Sequence, residues 1–355
     1  MKYLSEHTLY KEDLRKIASA PFLPWSALQE SSLFISGATG MIGSCLIDTI
    51  MHMNQEKGLN CKVFALSRNQ SKARSRFAEW SDSSLLQIVE GDVNGAIPFP
   101  EGEKCDFVLH LARNTHPVAY ATDPIGTITA NIIGTKNLLD LAVHCHARRF
   151  LFASSNEIYG ENRGDCELFD ESYLGYIDCN TLRAGYPESK RCGEALCQAY
   201  RKQKNLDVVI SRLTRSFGPT LQSSDTKAMS QFLRNGLHGE DIVLKSEGNQ
   251  YYSYTYTADA VTGLLTVLLK GVDGNAYNIA DTACDIRLKD LANMIALVSG
   301  THVVFDLPDA IESAGFSKAT KARLDGARLQ KLGWSIQYPL KKAITRTLEI
   351  LKDLE

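Results

Sequence analysis

The chain has 355 residues, 44% hydrophobic and 23% charged, ordinary values for a globular protein with a large buried core. A formal net charge of -2 supplies no basic field for nucleic acid or an anionic membrane, so a phosphate-bearing partner must be held by local groups. No apolar run approaches the ~20 residues of a bilayer-spanning helix, and the opening MKYLSEHTLYKEDLRK is polar rather than signal-like.

Residues 1–30 read as a polar helical extension ending near Pro21 and Pro24, with Trp25 docking it to the body. Then the pattern changes. LFIS (33–36) is a short apolar strand, followed by a glycine-rich turn and a helix from about Met41. KVFALS (62–67), LLQIVE (85–90), DFVLHLA (106–112), RFLFASS (149–155) and DVVISRL (207–213) are further apolar runs, with helical segments between several of them. Strands alternating with helices predict a Rossmann-type α/β fold, a doubly wound parallel sheet covered on both faces. The dinucleotide-binding domain is expected over 31–216. From Phe217 the alternation breaks into shorter elements, which predicts a smaller mixed α/β substrate-binding region over 217–355, with some elements returning to the first domain. Nine cysteines without a CxxC pair fit reduced thiols and a cytoplasmic location. His144-Cys145-His146 is not expected to hold metal, because helical positions two apart diverge and no matching ligand cluster stands elsewhere.

Ser36-Gly37-Ala38-Thr39-Gly40-Met41-Ile42-Gly43 sits between the first strand and the first helix of the alternation. Glycines there permit a tight turn, and the helix N-terminus presents amides to a pyrophosphate. Gly37, Thr39, Gly40, Met41, Ile42 and Gly43 are therefore expected at a dinucleotide. The spacing is GxxGxxG, unlike the GxGxxG of ordinary dehydrogenases. At the end of the second strand, Ser67-Arg68-Asn69 offers no carboxylate for a ribose. Arg68 either pairs with a 2′-phosphate or stacks on adenine, which leans locally toward NADP. Asp92 is placed either to meet the adenine edge or to cap the next turn.

Tyr186 and Lys190, four apart in GYPESKR, share one face of a helix. Tyr200 with Lys204 and Tyr338 with Lys342 repeat the spacing, so position must choose among them. Ligands sit beyond the C-terminal ends of parallel strands. That places Ser154-Ser155-Asn156-Glu157 at the crevice, and Tyr186 begins the next helix. Tyr200 lies about 21 Å further along that helix at 1.5 Å per residue. Tyr338 falls outside the alternation. Tyr186 alone has a hydroxyl partner and a phosphate loop in the right places.

Ser155, Tyr186 and Lys190 with the GxxGxxG loop resemble the extended short-chain dehydrogenase/reductase family of nucleotide-sugar epimerases and dehydratases. The resemblance covers nearly everything after residue 30. His110-Leu111-Ala112, Pro117, Tyr120, Pro124, Asn131, Gly134 and Thr135 keep the family spacing, as do FGP (217–219) and LGW (332–334). LRAGYPESKR is most similar to the UDP-glucuronate decarboxylase branch. The resemblance implies a retained nicotinamide cofactor, NAD by family habit with NADP left open by Ser67 and Arg68. It adds Val93, Leu111, Ala112, Arg113 and Asn131 to the cofactor site, beside Tyr186 and Lys190. It also implies a homodimer through the Tyr186 helix and the 126–145 helix, and a nucleotide-diphosphate sugar as substrate. In that chemistry Tyr186, acidified by Lys190 and the nicotinamide, deprotonates a sugar hydroxyl while Ser155 steadies the same oxygen. Oxidation, at C4 by family habit, then leads to epimerisation, dehydration or decarboxylation.

Two departures bear on the outcome. Dehydratases of this family carry Asp-Glu after the hydroxyl residue, whereas this chain has Asn156-Glu157, and an asparagine is no general acid. In many relatives an arginine of a GxQxR segment grips the diphosphate, and here Tyr252 occupies that position. Arg183, Arg215 and Tyr252 are expected on the substrate side, with Arg215, Lys245 or the 318–323 region standing in for the missing charge. Two other readings compete: an NADPH-dependent carbonyl reductase, which would consume cofactor, and a non-catalytic dinucleotide sensor, which needs no proton relay.

Overall fold

The computed structural model describes residues 3–112, 122–307 and 320–355. Seven parallel strands form the central sheet. They are β1 (Ser32–Ser36), β2 (Lys62–Ser67), β3 (Leu86–Glu90), β4 (Phe107–His110), β5 (Arg149–Ser155), β6 (Val208–Leu213) and β10 (Ala276–Ile279), in the spatial order β10-β6-β5-β4-β1-β2-β3. Every residue of β1, β4 and β6 is buried, as expected for strands covered on both faces. The chain leaves β1 toward β2 and β3, then returns to β1's other side with β4. The crevice at the β1 and β4 C-terminal ends is thus the topological switch point of a Rossmann-type fold.

The crossover helices that matter are α2 (Met41–Lys57), α4 (Pro124–His144) and α5 (Gly185–Lys204). A short helix, α3 (Gln70–Arg76), follows β2. β10 is the one central strand that the sequence reading did not pick out. Its run, AYNI, is short and carries a buried polar residue, Asn278. That side chain joins distant loops, donating to the carbonyls of Phe169 and Asp325 and accepting from Tyr159 Oη at 2.6 Å.

The elements after β6 build a smaller mixed region. β7 (Arg215–Phe217) pairs in parallel with β9 (Tyr251–Tyr256), which is also flanked by β11 (Asp285–Arg287) and β13 (Lys321–Ala322). β8 (Ile242–Leu244) and β12 (Val303–Phe305) form a separate pair. Between them run α6 (Ala228–Leu237), α7 (Thr257–Lys270), α8 (Leu288–Ser299) and, last, α9 (Leu340–Leu354).

Helix α1 (Thr8–Ala18) is part of the core. Tyr10, Leu14 and Ile17 lie on one face and are buried. Tyr10 Oη donates to Asp48 Oδ2 at 2.7 Å, and buried Asp13 accepts from Tyr256 Oη at 2.5 Å and from Arg346 Nε at 3.0 Å. The first helix is thereby tied to α2, β9 and α9. Trp25, half-buried, packs against the same core.

Candidate active site

The glycine-rich turn has a steric reason at each end. Gly37 has φ +72°, and a Cβ there would lie 2.6 Å from the Ala112 amide nitrogen. A Cβ on Gly43 would meet the Gly37 carbonyl at 2.3 Å. Gly40 caps α2, leaving the first amides of that 17-residue helix turned toward the crevice. Ser36 Oγ lies 2.8 Å from His110 Nδ1 and accepts from the Ala112 amide, so β1 and β4 are locked where they diverge. This close-packed turn at a helix N-terminus fits a dinucleotide pyrophosphate.

A cavity of about 530 Å³ opens beside the turn. Gly37, Gly40, Met41, Ile42, Gly43 and Leu111 line one end. Ala153, Ser155, Asn156, Glu157, Arg183 and Tyr186 line its middle, and Arg215, Tyr252 and the mixed region close the far side. The structure thus brings together most of the residues singled out from sequence.

Others stand apart from that lining. Ser67 Oγ both donates to the Asn69 carbonyl and accepts from its amide, closing a local turn. Arg68 is exposed and reaches the Asp92 carboxylate at 3.8 Å, while Asp92 also caps the Asn94 amide at 2.8 Å. Arg68 therefore stands beside a carboxylate at this edge. Buried Val93 packs against Gly134, where a Cβ would come within 2.8 Å. Asn131, also buried, donates to Ser189 Oγ at 2.9 Å, and Ser189 donates to the Tyr186 carbonyl at 2.8 Å. Arg113, Pro117, Tyr120 and Lys318 lie outside the described residues.

Ser155 ends β5 and Tyr186 is the second residue of α5. Tyr186 is only 3% exposed, yet it faces the cavity. Lys190, fully buried one turn further, donates from Nζ to the Ala153 carbonyl at 3.0 Å and lies 4.6 Å from the Phe152 ring centroid. The two rival pairs are elsewhere. Tyr200 Oη donates to Asp140, and Tyr338 is buried under Lys16 and Arg346 beside α1.

Glu157 pairs with Arg183 at 2.7 Å, both partly exposed. Asn156, with its amide oriented to suit its neighbours, donates to the Leu213 carbonyl and accepts from Arg215 Nη1 at 3.1 Å. Arg215 stacks on Tyr252, its Cζ 3.5 Å from the ring centroid. Burial pushes the Tyr252 phenol above its ordinary value, with Arg215 pulling the other way.

Sequence reasoning missed several lining residues, among them Gln222, Asp225, Lys227, Phe232 and Gln250. Gln222 Nε2 donates to the Thr39 carbonyl at 2.6 Å, and Thr220 Oγ1 to the Met41 carbonyl at 2.8 Å. The segment after β7 is therefore stitched directly onto the glycine-rich turn. In the sequence only the neighbouring FGP (217–219), which keeps the family spacing, marked this segment. Arg323, one of the stand-ins for the missing charge, instead pairs with Glu167 and stacks on Tyr251, away from the cavity lining. Among the described residues no His, Cys, Asp or Glu cluster suits a metal, and no helix is long and apolar enough to cross a membrane.

Residues 33–280 match the model of the NAD dependent epimerase/dehydratase family. The chain belongs to that family. It is 30% identical over 263 residues to UDP-glucuronic acid decarboxylase 5 of Arabidopsis thaliana, covering 74% of this chain and 73% of the relative. UDP-glucuronic acid decarboxylase 1 of Danio rerio is 28% identical over 320 residues, 89% of this chain and 72% of the relative. Among solved structures, the dTDP-glucose 4,6-dehydratase DesIV of Streptomyces venezuelae, with NAD and TYD bound, superposes with a TM-score of 0.77. That match has 23% identity and covers 91% of this chain and 97% of the other. UDP-glucuronic acid 4-epimerase of Bacillus cereus, with UDP-glucuronic acid and NAD, gives 0.75 at 20% identity, over 91% and 100%. These likenesses establish the shared fold.

Proposed function

We propose that the protein converts a nucleotide-diphosphate sugar without net redox change, through transient oxidation of a ring carbon by a retained NAD. One observation carries this: Ser155 and Tyr186 line the same cavity as the Gly37–Gly43 turn. The turn and the amides of α2 would hold the pyrophosphate, with Leu111 and Lys190 toward the nicotinamide end. Asp92 pairs with Arg68, the arginine that would otherwise be available to a 2′-phosphate, which favours NAD over NADP. Bound NAD supplies reversible hydride acceptance.

The protein's own residues handle the proton. The Tyr186 phenolate takes it from the sugar hydroxyl, the Lys190 ammonium one turn away stabilises that phenolate, and Ser155 donates a hydrogen bond to the oxygen as charge develops. Asn156 has no acidic proton and is held by Leu213 and Arg215, so acid-assisted loss of water from that position is unsupported. Glu157, braced by Arg183, is the remaining carboxylate for a second proton transfer. A decarboxylating outcome is the second reading. It is favoured by the decarboxylase relatives and by two guanidinium groups, Arg183 and Arg215, in the lining of the same cavity.

A cytoplasmic homodimer is part of the proposal. Ile125 and Ile133 of α4 are exposed apolar side chains on the helix expected at the contact. The pure protein, incubated in turn with UDP-, dTDP-, CDP- and GDP-sugars, tests the function by product mass. Unchanged mass means epimerisation, loss of water dehydration, and loss of carbon dioxide decarboxylation. Stoichiometric consumption of NADPH with a keto substrate would replace this reading with a reductase, and binding of NAD without turnover of any sugar with a sensor.

A further inference from the structure

We infer that Arg215 is the preorganised anchor for an oxyanion of the substrate, an inference that rests on the sugar-nucleotide reading above. Four cationic side chains line the cavity. Arg183 is paired with Glu157, Lys227 with Asp225, and Lys245 with Asp306. Arg215 has no carboxylate partner among the described residues. An unneutralised guanidinium facing a half-enclosed cavity is disfavoured unless an anion arrives there.

The guanidinium is also held in place. In the parallel β7–β9 pair Arg215 stands opposite Tyr254, so Tyr252 lies one step along the same face of β9. Its ring carries the guanidinium plane at 3.5 Å, and Asn156 accepts from Nη1 at 3.1 Å. A stacked and hydrogen-bonded fork keeps donors for a planar or tetrahedral oxyanion, which suits bidentate recognition better than a free lysine would. Asn156 immediately follows Ser155, so the same contact links the anion's position to the reacting end of the cavity. The oxyanion is either the substrate's diphosphate or a carboxylate on its sugar. Both make the same contacts, and the test separates them.

Calorimetric titration of the NAD-loaded protein with UDP, dTDP, CDP and GDP, and with UDP-glucose and UDP-glucuronate, provides that test. Arg215→Met is expected to weaken the tightest nucleoside diphosphate at least 10-fold if the anion is phosphate. If it is carboxylate, only UDP-glucuronate weakens by that factor, and UDP-glucose stays within about 2-fold. Arg215→Lys, which keeps the charge but loses the fork, is expected to fall between Met and wild type; should the Met variant fail to fold, at least a 3-fold loss in the Lys variant serves in its place. Unchanged affinities in a folded variant overturn the inference while wild-type turnover keeps the sugar-nucleotide reading intact. Wild-type protein that neither binds nor converts any of these compounds ends both.

Discussion

Lys190 Nζ donates to the Ala153 carbonyl at 3.0 Å, so the second turn of α5 is fastened to the strand that ends, two residues later, in Ser155. The bond crosses from helix to sheet in a fully buried setting, where an unpaired ammonium would be costly. It positions the helix bearing Tyr186 against the serine. In the proposed chemistry the ammonium stabilises the Tyr186 phenolate, so its removal would make that phenolate harder to form. Lys190→Met is expected to lower turnover by about 100-fold or more. It should also move the acidic limb of the rate profile to higher pH, because the phenol then titrates later. A pH–rate series on the folded variant reads both. An unshifted limb would assign Lys190 a packing role only.

The Thr220 and Gln222 hydrogen bonds to the Met41 and Thr39 carbonyls place a strap from the mixed region across the dinucleotide turn. If that turn holds the proposed cofactor, the two bonds would slow its release. Thr220→Val combined with Gln222→Ala is expected to speed exchange of bound NAD for labelled NAD at least 10-fold, and to lower the NAD that copurifies. Thr220→Ser keeps the hydroxyl and should exchange like wild type. Equal exchange rates in the double variant would mean that retention is set elsewhere.

Most of the central sheet was legible because buried parallel strands read as unbroken apolar runs, and six of the seven stood out that way. The seventh, β10, hid behind Asn278, a buried polar residue used to join loops. The reactive end was legible for a similar reason. Ser155 and Tyr186 sit at the end of one element and the start of the next, where topology alone predicts a crevice. The far wall was not legible. Gln222, Lys227 and Lys245 come from irregular or very short elements, and they converge only through tertiary packing. Helix α1 carried its apolar face at positions 10, 14 and 17, but its polar contacts were invisible, since Asp13 meets Arg346 across almost the whole chain.

Asp259, at the start of α7, shows how burial sets a pH response. Its carboxyl accepts from the amides of Gln337 and Tyr338, yet burial pushes it up from 3.8 to about 7. Between those values the folded chain holds a proton that the unfolded chain has released. Stability from this group is therefore fully present below about 4 and is lost as pH rises through about 7. Asp285, raised to about 6 mainly by burial, acts in the same sense. Melting temperature is expected to fall between pH 5 and pH 8, and Asp259→Asn should flatten that slope. An identical slope in the variant would place the titration elsewhere.

The central claim is that Tyr186 is the proton acceptor for a sugar hydroxyl beside a bound nicotinamide. Tyr186→Phe keeps the buried ring at the start of α5 and removes only the oxygen. Product formation from the sugar nucleotide that the wild type converts, followed by mass with NAD occupancy measured in parallel, is the most direct test. The expected result is a loss of about 10³-fold or more with NAD still bound in wild-type amount. Turnover within 10-fold of wild type would contradict the assignment.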